Sequence, residues 1–155
     1  MGEMNGASDF DFFIGRWNVV NERLKKRFVG SDEWETFAAT SDCRALLGGA
    51  AHIDEIDIPA LSLSGINLAV FDADGGTWSL HWMDSQRRVF FPPVRGRFED
   101  GRGIFYADDT DDGVPVKVRY LWLVCATAPR WEQAFSRDEG RSWETNWIMT
   151  FTRAE

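Results

Sequence analysis

The stretch RWEQAFSRDEGRSWETNWIMTFTR (130–153) reads as two strands around one turn. Trp131–Phe135 and Trp143–Phe151 are rich in aromatic, β-branched and Thr residues, which suit a pleated, half-buried surface. Ser136–Ser142 between them carries the Asp and Gly of a turn. In the second run Trp143, Thr145, Trp147, Met149, Phe151 and Arg153 share one face by period-2 alternation. Glu144, Asn146, Ile148, Thr150 and Thr152 share the other. A strand of this kind is buried on one side and wet on the other.

The same pattern recurs along the chain. Val116, Val118, Tyr120, Trp122 and Val124 form one apolar face. Trp78, Leu80 and Trp82 oppose Thr77, Ser79 and His81. Turn signals fall at regular intervals, among them Gly48-Gly49, Gly75-Gly76, Pro92-Pro93, Asp100-Gly101 and Asp112-Gly113. About ten short strands are expected by this reading. Helix signals are confined to Ser8-Asp9, which could cap one turn over Phe10–Ile14 before Gly15. One-sided strands without helices to cover them must fold onto themselves, and closure into an antiparallel barrel also removes the sheet edges. The expected fold is therefore an all-β barrel with a short N-terminal helical turn as its plug.

A chain of 155 residues is expected to be one domain, 1–155, with residues 1–8 as a flexible tail. The formal net charge of −8 argues against nucleic acid and anionic membrane as partners, because both need clustered Lys and Arg. The one basic triplet, Lys25-Lys26-Arg27, reads as a solvated strand end. Cys43 and Cys125 lie far apart with no metal-ligand spacing. The opening MGEMNGASDFDFF lacks the basic and apolar regions of a signal peptide, and no apolar run reaches the ~18 residues of a membrane span. A cytoplasmic location with reduced thiols is expected.

Gly15-Arg16-Trp17 opens the first long strand and Arg153 closes the last. This pair resembles the signature of the calycins, the superfamily of lipocalins and fatty-acid-binding proteins. The resemblance implies that Trp17 sits at the closed end of a barrel with Arg153 packed over its ring. Arg stacks well on an indole face, and the contact would tie the first strand to the last. The segments DFDFFIGRWNV (9–19), LLGGAAHIDEIDIP (46–59), WSLHWMDS (78–85) and GRFEDGRGIFYADDT (96–110), with 130–153, also resemble a bacterial family of lipocalin-like domains of unknown function. That family carries no established activity, so it implies a fold and no reaction.

The turn SRDEGRSW (136–143) resembles the Asp-box of sialidases and other β-propellers. In such a box Ser136 and Asp138 bond turn backbone, Gly140 takes a conformation costly to other residues, and Trp143 packs beneath the hairpin. Each role is structural. A propeller would repeat the box from blade to blade; the only echo here, Asp74-Gly75-Gly76-Thr77-Trp78, is one residue short. Asp108–Gly113 invites a calcium reading, but Arg119 stands where a calcium loop needs its final Glu, so a hairpin turn and no metal site are expected. A haem-binding calycin relative uses one His as ligand and carries later glycines that GRWNVVN (15–21) lacks, so no cofactor is expected.

The interior is the main functional object. Alternation places Trp82, Tyr120, Trp122, Trp131, Gln133, Trp147, Met149 and Phe151 inside, and Arg23 too if the first strand keeps the phase of Trp17. Leu24 breaks that phase, which would suggest a bulge. Small barrels are either filled by side chains or hold one small ligand. The ligand reading assigns a small hydrophobic or aromatic molecule to Trp82, Tyr120, Trp122 and Trp147, with Arg23, His52, Asp54 and Gln133 as polar anchors. The rival is a small-molecule isomerase, cyclase or lyase in which His52 and Asp54, two apart on one strand face, act as base and orienter. A third is a homodimerising interaction module.

Overall fold

The computed structural model describes residues 6–125 and 127–154. Ten antiparallel strands form one closed barrel: β1 Gly15–Leu24, β2 Trp34–Leu46, β3 Ala51–Ile58, β4 Leu63–Asp72, β5 Thr77–Asp84, β6 Val94–Glu99, β7 Arg102–Asp111, β8 Val114–Leu123, β9 Arg130–Ser136 and β10 Glu144–Arg153. Each strand pairs with its neighbour in sequence, and β1 returns to β10. The only helical pieces among the described residues are three single 3-10 turns. Most of the expected tail lies outside the described residues; Gly6 already belongs to a turn, its carbonyl accepting the Asp9 N–H at 3.0 Å.

One end of the barrel is shut. The 3-10 turn Asp11–Phe13 carries Phe13 inward, with Phe10 just before it. Phe13 packs on Trp122 and Phe151 with ring centroids 4.8 and 4.9 Å apart. Phe10 meets Trp78 and Phe98 edge-on, each at 4.9 Å. Such edge-to-face pairs add to the burial of each ring. The expected cap is not made by a side chain: Phe10 occupies the cap position and the Ser8 carbonyl accepts the Asp11 N–H. Asp9 instead accepts the Trp78 indole N–H at 3.0 Å.

The Trp–Arg clamp is present. Trp17 and Arg153 are paired across β1 and β10, and the Arg153 guanidinium carbon lies 3.9 Å from the Trp17 ring centroid. The same guanidinium donates to the carbonyls of Ile14 and Phe12, at 2.6 and 3.1 Å. Gly15 is required here: its φ is +125°, and a Cβ would run into Arg153 Nη1.

The phase of β1 continues through Arg23 without a bulge, because Arg23 pairs Glu35 and Leu24 pairs Trp34 in unbroken register. The break lies in β10 instead. The register of β10 against β9 shifts between Thr145 and Trp147, so Asn146 is an inserted residue. Asn146 is buried and its Oδ1 accepts from Gln133 Nε2 at 2.8 Å. Trp147, Met149 and Phe151 face inward as expected, but Trp143 does not share their face. It lies outside, against Tyr106 and under the Arg119 guanidinium, 4.6 Å from its ring. The turn before it has the box geometry: Ser136 Oγ accepts the Gly140 N–H at 2.8 Å, and Asp138 accepts the Ser142 N–H and hydroxyl. These bonds hold the Asp138 carboxyl well below the usual carboxylate range.

Replacing Arg153 with Ala removes the ring contact and both carbonyl bonds at a solvent-facing site. The expected loss is about 1–2 kcal/mol in urea unfolding, with Arg153→Lys losing less.

Candidate functional site

The other end of the barrel is not filled. A cavity of about 350 Å³ opens there. Its floor is Phe13, Trp122 and Phe151, the inner surface of the plugged end. Trp131, Tyr120, Met149 and Trp147 form one wall, from β8, β9 and β10. Ile56, Ile58, Leu80 and Trp82 form the facing wall, from β3 and β5. Trp82 lies over β4 at Gly65, where any Cβ would collide with its indole. Glycine at 65 thus sets where this wall stands.

Tyr120 and Trp131 pack edge-on at 5.0 Å, and Trp131 reaches Trp147 at 6.5 Å. The Trp147 indole N–H donates to Asn21 Oδ1 at 3.0 Å, and Asn21 Nδ2 donates to the Phe37 carbonyl. These bonds fix the Trp147 ring. Burial pushes the Tyr120 hydroxyl up to about 12, so it stays protonated across the physiological range.

The mouth is lined by charge. Arg23 makes a two-bond pair with Glu35, at 2.7 and 2.9 Å, and stacks on Phe37 and Trp147. Arg27 makes another with Asp111, at 2.6 and 3.0 Å. Lys25 and Lys26 are exposed, as the reading of this triplet as a solvated strand end expected, but Arg27 is tied up in this second pair. The pair ties the β1–β2 loop across the barrel to the β7–β8 hairpin, helped by Glu144 Oε1, which accepts the Phe28 N–H. Asp111 is 7% exposed and its carboxyl is depressed by the Arg27 hydrogen bonds. Of the Asp108–Gly113 stretch, Asp108–Asp111 finish β7 and only Asp112-Gly113 form the hairpin turn; two of its carboxylates serve as pair partners, Asp108 to Lys117 and Asp111 to Arg27.

The barrel wall is thinnest between β5 and β6, which pair only over Trp78–Leu80 and Val94–Gly96. Pro92 and Pro93 have no N–H to extend that ladder. Phe91 and Pro92 close the gap and line the cavity, while Val89 and Phe90 beside them are exposed.

Seven of the expected binding residues line this one cavity: Arg23, Asp54, Trp82, Tyr120, Trp122, Gln133 and Trp147. His52 does not. It points inward as expected, but at the shut end, 5.6 Å from Trp78, with Nε2 3.3 Å from Asp11 Oδ1. Two residues on one strand face stand more than 6 Å apart along the strand, and here that distance separates plug from cavity. The expected His52–Asp54 couple is not made; Asp54 is bonded by Asn67 Nδ2 at 3.4 Å. His81 lies on the outer face near Phe90, its pKa lowered by burial and by Arg95.

Asp54 is the titrating group of the interior. Its remaining surface faces the cavity, and burial raises its carboxyl to about 7. Ser41, on the adjacent strand and also lining the cavity, is 5% exposed with no partner for its Oγ. Sequence reasoning missed Ser41, Asn67 and Arg27. The first two were available from alternation, Ser41 in phase with Ala39 and Cys43, Asn67 with Gly65 and Ala69. Arg27 was not, because it acts through a loop.

No protein-family model matches the chain, and no curated protein matches its sequence. Among solved structures the chain is similar to an S-type phycobiliprotein lyase, CPES, from Guillardia theta. The identity is 10%, the TM-score 0.58, and the match covers 99% of this chain and 94% of that one. Together with the closed ten-stranded barrel, this likeness defines a calycin-like fold. No helix among the described residues is long and apolar enough to cross a membrane.

The Asp54 carboxyl gives a signed pH dependence. Its folded value of about 7 lies above the ordinary carboxylate value of about 3.9. Between the two the folded state binds the extra proton, so this group's contribution falls as pH rises toward 7. The stability of wild type minus Asp54→Asn should therefore decline from about pH 4 to about pH 7, by at most about 1.4 kcal/mol per unit, and then level off. Urea unfolding of both proteins across this range measures it.

Proposed function

We propose that the barrel binds one small hydrophobic or aromatic molecule in its interior. The observation that carries this reading is the cavity of about 350 Å³ between aromatic walls, open at one end and floored at the other. Small-molecule pockets have this make-up: apolar walls with a few convergent polar groups. A flat ring system fits between Trp147 with Trp131 on one side and Trp82 with Ile56 on the other. Gln133 and Asp54 supply hydrogen bonds within reach of its edge. The phycobiliprotein lyase that shares the fold is consistent with such use of the interior, at the level of architecture. We assign the chain to the bacterial lipocalin-like family it resembles, as a single domain over 1–155, acting in the cytoplasm.

One observation favours catalysis as a second reading. A cavity carboxyl raised to about 7 can exchange a proton near neutral pH. In that case Asp54 is the acid or base by itself, since His52 lies at the other end of the core.

The test is calorimetric titration with 1-naphthalenemethanol, a neutral two-ring probe. One molecule should bind per chain. Trp147→Ala should weaken binding about tenfold, by loss of stacking and area. Val118→Trp, which grows a side chain into the cavity, should abolish it, while Val20→Ala on the outer face should change nothing. Equal binding by all variants would place the probe outside the barrel and refute the reading.

A further inference from the structure

Asp54 is a cavity carboxylate to which no cation is bonded. It sits in a row across three strands, in register with Asn67 on β4, which is in turn in register with Trp82 on β5. Its one side-chain bond is the long one from Asn67. On the other side, β2 presents Cys43 opposite it and Ser41 one step along that face. The Cys43 thiol stays protonated, because burial pushes its pKa up. Ser41 Oγ has no partner. Burying a carboxylate with so few donors is costly unless something supplies the rest.

The charges at the mouth do not. Arg23 is held by both of its bonds to Glu35, and Arg27 by both of its bonds to Asp111. Among the charged side chains lining the cavity, two are basic, Arg23 and Arg27, against four acidic, Asp54, Asp84, Asp109 and Asp111. An anionic ligand would have to break an existing ion pair and enter an acidic cavity. A cationic ligand finds a carboxylate without an ion-pair partner and an indole in one row, and a hydroxyl acceptor one step along the next strand. Cations are attracted to indole faces as well as to carboxylates.

We propose that Ser41, Asp54, Asn67 and Trp82 form a subsite for a protonated nitrogen, and that the ligand of the barrel is an aromatic or hydrophobic ammonium compound. The ammonium donates to the free Asp54 oxygen and to Ser41 Oγ, while Asn67 holds the carboxylate in place. The rings extend toward Tyr120, Trp131 and Trp147. This assignment rests on the interior being the binding site, as proposed above.

Three probes of one shape test it by calorimetry at pH 8: 1-naphthylmethylamine, 1-naphthalenemethanol and 1-naphthoate. An alkyl ammonium is charged at this pH, as lysine is. The amine should bind at least about tenfold tighter than the alcohol, and the carboxylate weakest. Asp54→Asn keeps the shape and the bond to Asn67 but removes the charge. It should erase the preference for the amine, read as the ratio of amine to alcohol affinity within the same variant. If the alcohol binds but the amine has no advantage, or keeps its advantage in Asp54→Asn, the subsite is refuted and the cavity reading stands. If none of the three probes binds, the cavity reading itself fails and this proposal falls with it.

Discussion

The structure depends on the stacking of Arg153 over Trp17. Ten one-sided strands have no helix to cover their apolar face, so the sheet must close. Closure brings the first strand against the last, and those two are the farthest apart in sequence. The guanidinium pins this seam in three ways: to the indole of β1, and to the carbonyls of Ile14 and Phe12 that lead into it. The last two contacts also hold the plug. The indole itself donates to Phe13 O at 2.8 Å, so the seam and the plug share one hydrogen-bonded cluster. Gly15 is the residue that lets the guanidinium lie there.

A plugged end explains why the interior is not uniformly filled. The fully buried rings, Phe10, Phe13, Trp17, Trp78, Phe105, Trp122 and Phe151, gather around the plug. The partly buried ones, Trp82, Tyr120, Trp131 and Trp147, ring the cavity above it. Stability is therefore concentrated in one half of the barrel. The other half is free to keep open space, which a close-packed core of this size would not otherwise tolerate. Its side chains are braced by hydrogen bonds, as Trp147 is by Asn21, rather than by dense packing.

The barrel was legible in the sequence because alternation is a strict rule on a closed sheet: a slip of one residue would turn an indole out and a carboxylate in. The inward phase of Trp82, Tyr120, Trp122 and Trp147 could be read directly, while the Trp17–Arg153 pair was implied by the resemblance to the calycins. Three kinds of feature escaped. The bulge at Asn146 reverses the phase of β10, so Trp143, expected on the same face as Trp147, packs outside against Arg119. No local signal marks that extra residue. Position along a strand also escaped: His52 and Asp54 share a face, but one belongs to the plug and the other to the cavity. Alternation gives the side of the sheet and is silent about depth. Arg27 is a third case, since its bond to Asp111 spans 84 residues and a loop.

The central claim is that the open half of the barrel accepts a small aromatic guest. The most direct measurement is native mass spectrometry of the protein after incubation with a mixture of small aromatic amines, alcohols and acids. The account predicts a single adduct of one guest per chain, drawn from the amines and lost on denaturation. A spectrum containing only the bare chain at saturating guest concentrations would contradict it, and would mean that the aromatic walls close on one another in solution.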